Sequence, residues 1–215
     1  MKYNTQEVAA LQPDYLGFIF YEGSPRHFDG EIPLLPKGVK KVGVFVDAEI
    51  AFAKANIEKY NLDIIQLHGN ESLEYIEALK TVCQAEPVEA LRVVSSAVEI
   101  WKVFSIKDSF DFNRLTPYES LVDAFLFDTK GKAKGGNGYT FDWQVLKDYP
   151  SQTPFILSGG IGLEEIENIK EILGSDLPIL ALDVNSKFED KPGLKNIKTL
   201  TTFTFQLTSL LERRD

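Results

Sequence analysis

A chain of 215 residues, 44% of them hydrophobic, is long enough for one domain with a sizeable core. Its net charge is −9, from 23 basic and 32 acidic side chains, which argues against nucleic acid or an anionic membrane as partner. A single cysteine, Cys83, excludes an internal disulfide; with no apolar run near the ~20 residues of a bilayer span and no signal-peptide pattern, a reducing, cytoplasmic location is expected.

The first element is a helix-like stretch, Asn4–Leu11, and the first strand candidate follows at Tyr15–Phe20 (YLGFIF). Between Arg26 and Lys40 helical periodicity is missing and Pro33 and Pro36 interrupt the chain, so this crossover is expected to be irregular. Val42–Val46 (VGVFV) then reads as a strand, Ala48–Tyr60 as a helix, Ile64–Leu67 (IIQL) as a strand, and Ser72–Val82 as a helix with Ser72 placed to cap it. The stretch 83–98 (CQAEPVEALRVVSSAV) is longer than most connections, carries no polar constellation, and reads as a surface insertion. Further strands are expected at Trp101–Ser105, Ala124–Phe127, Phe155–Leu157 and Ile179–Leu182, and helices at Leu163–Leu173 and Leu194–Leu211. Strands apolar on both faces, alternating with helices, predict a parallel sheet in a single α/β domain over residues 1–215. An open doubly wound sheet would carry a glycine fingerprint after its first strand, and none is present. The alternative is a (βα)8 barrel, which needs one strand more than the seven visible, ahead of Asn4.

In a barrel, chemistry gathers at the C-terminal ends of the strands. Read in order, those ends are SPRHF (24–28), QLHG (66–69), FDTKGKAKGGNG (127–138), LSGGIG (157–162) and LDVNSKFE (182–189). Asp128 ends an apolar strand; partial desolvation there would raise its pKa and suit a general acid, the alternative being a cap or an ion pair with Lys130. The loop that follows, with Lys130, Gly136 and Gly138, is suited to closing over an anionic ligand, or is a solvated loop. Gly159 and Gly160 precede a helix and expose backbone N–H groups to an anion, and the next strand end supplies Asp183, Asn185 and Ser186. The loops after the last two strands commonly share a phosphate in such barrels. Arg26 has the planar fork for a carboxylate, or is a surface arginine. His68 can donate to a substrate or support the site from behind, Asp183 can bind a sugar hydroxyl or brace its loop, and His27 is not favoured.

Taken together, GFIFYEGSPRHF, KKVGVFV, IIQLHGNES, FLFDTKGKAKGGNGYTFDW, FILSGGIG and LALDVNSKFEDKPGLK resemble phosphoribosylanthranilate isomerase over nearly the whole chain. The resemblance implies a TIM (βα)8 barrel that carries out an Amadori rearrangement of N-(5-phosphoribosyl)anthranilate in tryptophan biosynthesis, with no cofactor and no metal. It implies a monomer or homodimer whose partner is a small phosphosugar. By the same resemblance Asp128 is the general acid at the ribose ring oxygen, Arg26 holds the anthranilate end, and His68 and Asp183 line the substrate. Gly159, Gly160, Asn185 and Ser186 hold the phosphate. Many members read DVSSGVE where this chain reads DVNSKFE.

The chain departs from the family at its front. Members begin with a strand ending in Lys-(Ile/Val)-Cys-Gly-Met, whose cysteine is the general base at ribose C2, whereas this chain opens Met1-Lys2-Tyr3. The first strand and its cysteine are therefore expected to be missing from the chain as written, with activity impaired. Cys83, at the end of a helix, is no substitute. A ribulose-phosphate epimerase would need two histidines and two aspartates around a metal, and with only His27 and His68 available that reading is set aside. No strand-end glutamate with a separate lysine and histidine is found, as a triosephosphate isomerase would need. The competing reading from another class is a non-catalytic barrel remnant that binds the phosphosugar.

Overall fold

The structure, a computed structural model, describes residues 1–84, 98–107, 109–129 and 142–211. Most of the insertion at 83–98 and the loop residues Lys130, Gly136 and Gly138 lie outside the described residues. A short helix α1 (Thr5–Ala9) leads into β1 (Tyr15–Ile19). There follow β2 (Lys40–Phe45), α2 (Ile50–Tyr60), β3 (Ile64–Leu67), α3 (Leu73–Gln84), β4 (Glu99–Ile106), β5 (Ala124–Thr129), β6 (Phe155–Leu157), α4 (Ile166–Leu173) and β7 (Ile179–Leu182). A hairpin of β8 (Glu189–Lys191) and β9 (Leu194–Lys195) precedes the last helix, α5 (Ile197–Leu211).

The seven strands pair in chain order and in parallel, β1 at one edge and β7 at the other. Side chains alternate between two layers, as the period of 2 requires. Val42, Ile64, Trp101, Val103, Ala124, Leu126 and Ile156 form an inner cluster. Phe18, Phe45, Ile65, Leu67, Phe125, Phe127 and Phe155 face the helices. The sheet curls, because Tyr15 of β1 and Ala181 of β7, at opposite edges, both pack on that inner cluster. The Tyr15 ring meets Trp101 of β4 edge-on at 5.0 Å. Among the described residues no strand lies between β1 and β7. Two β1 carbonyls are capped locally: Gly17 O accepts from the Met1 amine and Ile19 O from Phe28 N–H.

β5 shows how the register is held. Phe125 and Phe127 are fully buried outward, and Phe127 packs on Tyr149 and Phe155 at 5.7 and 5.1 Å. A slip by one residue would turn both rings inward and Asp128 outward, at roughly 1.5–3 kcal/mol per displaced ring. The burial that makes the core thereby aims the acid into the mouth.

Two local outcomes differ from the sequence reading. The helix expected from Leu163 begins as a 3₁₀ turn over Leu163–Glu165 and becomes α only at Ile166. The helix expected from Leu194 begins at Ile197, because Gly193, at φ 85°, turns Leu194 and Lys195 back against β8. The crossover from β4 to β5 uses two 3₁₀ turns, Phe112–Arg114 and Thr116–Tyr118. The irregular β1–β2 crossover and the Ser72 cap are as expected, with Tyr75 N–H donating to Ser72 Oγ at 3.2 Å.

Candidate active site

His68, Asp128, Ser158 and Asp183 follow β3, end β5, follow β6 and follow β7. Each stands an even number of residues from an inner-layer position: Ile64, Leu126, Ile156 and Ala181. Period 2 therefore carries all four into the open end of the curl. His68 Nε2 lies 3.5 Å from Asp128 Oδ2, and Gln66 Nε2 lies 3.3 Å from His68 Nδ1 on the other side of the ring. Ser158 Oγ donates to Asp183 Oδ2 at 2.8 Å. Burial pushes the Asp183 carboxyl above its ordinary range, and the nearby Asp128 charge adds to this; the Ser158 hydroxyl, Lys195 and His68 oppose it.

The two glycines after β6 are required by the backbone. Gly159 has φ 88° and Gly160 φ 71°, values L side chains rarely adopt. A Cβ on Gly159 would stand 2.8 Å from Asp128 Oδ1 and 2.5 Å from Thr129 N. The glycine turn and the acid are thus in direct contact. The rim loops after β6 and β7 are tied by Lys187 Nζ to Glu164 Oε1 at 2.6 Å. Asn185 and Ser186 lie at the start of the second loop, where Asn185 O and Oδ1 accept from Lys195 Nζ at 3.1 and 2.5 Å.

Arg26 comes to the same end because the segment after β1 turns back and Phe28 N–H bonds Ile19 O at 2.8 Å. His27 is held through its backbone, by a bridge to Ile19 and by its N–H donating to Ser24 O at 3.0 Å. The Arg26 guanidinium is held side-on by Glu189: Nε reaches Oε2 at 2.9 Å and Nη2 reaches it at 2.7 Å. Glu189 accepts also from Lys195 Nζ (3.1 Å) and Gly193 N–H (3.0 Å). Burial pushes the Glu189 carboxyl up, but Arg26, Lys195 and the Gly193 amide together hold it below the usual carboxylate range.

Sequence reasoning missed Glu189 and Lys195. The available signal was the Lys-Pro-Gly-Leu turn at 191–194, which sets residues 189 and 195 opposite each other. It missed a second pair as well. Lys102, inside an apolar strand, is buried with its Nζ at 2.9 Å from both Glu71 Oε2 and Gly69 O. Glu71 in turn accepts from Gly69 N–H and Asp47 N–H, each at 3.0 Å, and so pins the loop that carries His68. A lysine amid apolar strand residues is itself the signal, since buried lysines need an acid. Cys83 sits half-buried on α3, away from the strand ends, and burial pushes its thiol up. Among the described residues no cluster of His, Cys, Asp or Glu could hold a metal, and no helix is long and apolar enough to cross a membrane.

The family model for N-(5'-phosphoribosyl)anthranilate (PRA) isomerase matches residues 2–206. The N-(5'-phosphoribosyl)anthranilate isomerase of Parabacteroides distasonis is 39% identical over 211 residues, covering 95% of this chain and 88% of that protein. The crystal structure of phosphoribosyl anthranilate isomerase from Thermus thermophilus superposes with a TM-score of 0.74 at 26% identity, over 95% of this chain and 92% of that one. A phosphoribosyl anthranilate isomerase solved with reduced 1-(o-carboxyphenylamino)-1-deoxyribulose 5-phosphate has the same fold: TM-score 0.72 at 22% identity, over 97% and 95% of the two chains. With the curled parallel sheet and its strand-end acids in place, the match over nearly its whole length establishes that this chain belongs to the N-(5'-phosphoribosyl)anthranilate isomerase family.

Proposed function

We propose that the chain, as a single barrel domain, is a cytoplasmic isomerase of tryptophan biosynthesis. Its reaction is the Amadori rearrangement of N-(5'-phosphoribosyl)anthranilate, without metal or cofactor. Family membership supports the reaction. The observation that carries the residue roles is the contact of the Asp128 carboxylate with the glycine turn at Gly159, inside the ring of inward-facing strand ends. A phosphate held by the backbone of Gly159 and Gly160, with Asn185 and Ser186 across the rim, sets the ribose against Asp128.

In this reading Asp128 gives its proton to the ribose ring oxygen. The C1–O bond breaks as the anthranilate nitrogen lone pair forms the C1=N iminium. A base then takes the C2 proton, and the resulting enolamine tautomerises to the C2 ketone. His68, 3.5 Å from Asp128, orients the acid, and Asp183 with Ser158 addresses the sugar hydroxyls. Arg26 takes the anthranilate carboxylate.

The base belongs, by resemblance, to a strand seated between β1 and β7. Support for such a strand comes from β7, where Leu180 is 42% exposed and Ile179, Ala181 and Leu182 are only half-buried. The Met1 amine donates to Gly17 O in the field of Glu189, Asp183 and Arg26, and burial, with the Lys195 charge, brings it down to about pKa 5.

The test uses the chain and a version extended upstream by the family's strand ending in Lys-Ile-Cys-Gly. Turnover should rise in the extended protein by the ~10²–10⁴-fold that a positioned base contributes. In it, Asp128→Asn should lower turnover by a similar factor while affinity for the reduced product analogue is kept. Full turnover in Asp128→Asn refutes the acid. Equal stability and activity of the two lengths refutes the missing strand. Ligand binding without turnover in the extended protein would favour a binding-only barrel.

A further inference from the structure

Arg26 is expected to meet the anthranilate carboxylate, yet in this structure it already faces a carboxylate, that of Glu189. The geometry resolves this. Glu189 engages the side of the guanidinium through Nε and Nη2. Among the described residues Nη1 makes no hydrogen bond, so the end-on edge formed by Nη1 and the second Nη2 proton remains for another carboxylate. Two carboxylates on one arginine leave a surplus negative charge in a pocket where Glu189 is 4% exposed and Arg26 15%. Like charges sharing a site oppose each other's ionised forms.

Lys195 supplies the missing charge. Its ammonium is buried, and its three protons are spent on Glu189 Oε1 (3.1 Å), Asn185 Oδ1 (2.5 Å) and Asn185 O (3.1 Å). The residue is held on both sides of its backbone by Asn4, whose Nδ2 donates to Lys195 O at 2.8 Å and whose Oδ1 accepts from Lys195 N at 3.0 Å. Of the three side chains alone, Arg26 and Lys195 are positive and Glu189 negative, a sum of +1 that one ligand carboxylate brings to zero; Asp183 and the Met1 amine share this field and are common to every variant. Removing Lys195 lowers the charge by one, so the three-residue cluster is neutral when empty and −1 when occupied.

We infer that Lys195 is a specificity-determining positioning residue: through Glu189 it sets the charge of the Arg26 cluster so that the site selects a substrate bearing a ring carboxylate. Lys195 does not touch the ligand. Its contact with Asn185 also reaches the phosphate rim, so the readout has to separate the two ends. The inference rests on the reading that Arg26 meets that carboxylate.

The experiment measures, by calorimetry on the chain itself, affinity for two probes. One is reduced 1-(o-carboxyphenylamino)-1-deoxyribulose 5-phosphate; the other is its phenylamino counterpart without the carboxylate. Both carry the phosphate, so effects at that end cancel in the ratio of affinities. Lys195→Met and Lys195→Gln should each lower the ratio about tenfold, and Lys195→Arg should keep it near the parent value. Either neutral variant suffices if the other does not fold. A ratio unchanged in the neutral variants while Arg26→Ala collapses it overturns the role of Lys195 and leaves the reading of Arg26 standing. A ratio unchanged in Arg26→Ala overturns both. A purely structural lysine would lower the melting temperature and weaken both probes alike, which also refutes the inference.

Discussion

Lys102→Met should be among the most damaging single changes to the fold outside the mouth. In the parent, Lys102 Nζ lies at 2.9 Å from Glu71 Oε2, and the two side chains are 4% and 1% exposed. Removing the lysine leaves the Glu71 carboxylate buried without a cation, although Gly69 and Asp47 N–H still donate to it. Breaking a buried pair in this way costs ~3–5 kcal/mol, most of it the penalty for the stranded charge. At this chain length each kcal/mol moves the melting temperature by roughly 2–4 °C, so a fall of roughly 6–20 °C is expected by circular dichroism. The double variant Lys102→Met, Glu71→Gln separates stranded charge from lost packing. The amide oxygen introduced at 71 still accepts from both backbone N–H groups, and no ion remains. At least half of the lost stability should return. A double variant no more stable than Lys102→Met alone would falsify the stranded-charge account and point to packing of the lysine stem.

The mouth yields two more expected outcomes. Asp183 is pushed above its ordinary range by burial, so folding disfavours its ionised form: the parent forfeits stability as pH rises from the unfolded value, about 3.9, through the folded one. Asp183→Asn keeps an acceptor for Ser158 and lacks that loss, so its melting temperature should exceed the parent's by a margin that opens above about pH 4 and then levels off. A margin that shrinks with pH contradicts the assignment. Gly159→Ala meets both a positive φ and the Thr129 amide, which is backbone and cannot swing away. It should cost at least ~1–2 kcal/mol of stability and weaken phosphate-ligand binding, and an unchanged protein by both measures would show that the turn relaxes freely.

Much of this architecture is written locally. The run Ala124–Phe127 followed by Asp128 specifies a buried strand with an acid one step beyond it. Period 2 then sends Asp128 to the same side as Leu126 whatever the rest of the chain does. The same holds for His68, Ser158 and Asp183. The glycines at 159 and 160 announce a turn with positive φ, and Ser72 announces its cap. These features are legible because each depends on neighbours a few residues away.

The sequence alone determined the alternation of strand and helix, the order of the polar strand ends and the family. The tertiary structure alone decided what those ends lean on. Arg26 and Glu189 are 163 residues apart, and Lys102 and Glu71 are 31 apart on different elements. Nothing in either local stretch names its partner. A buried charge is tolerated only where an opposite charge and enough donors converge on it, and convergence across the sheet is a property of the curled sheet as a whole. Leu194 and Lys195 show the same division: their pattern is as helical as that of Ile197–Leu211, and only pairing with β8 made them strand.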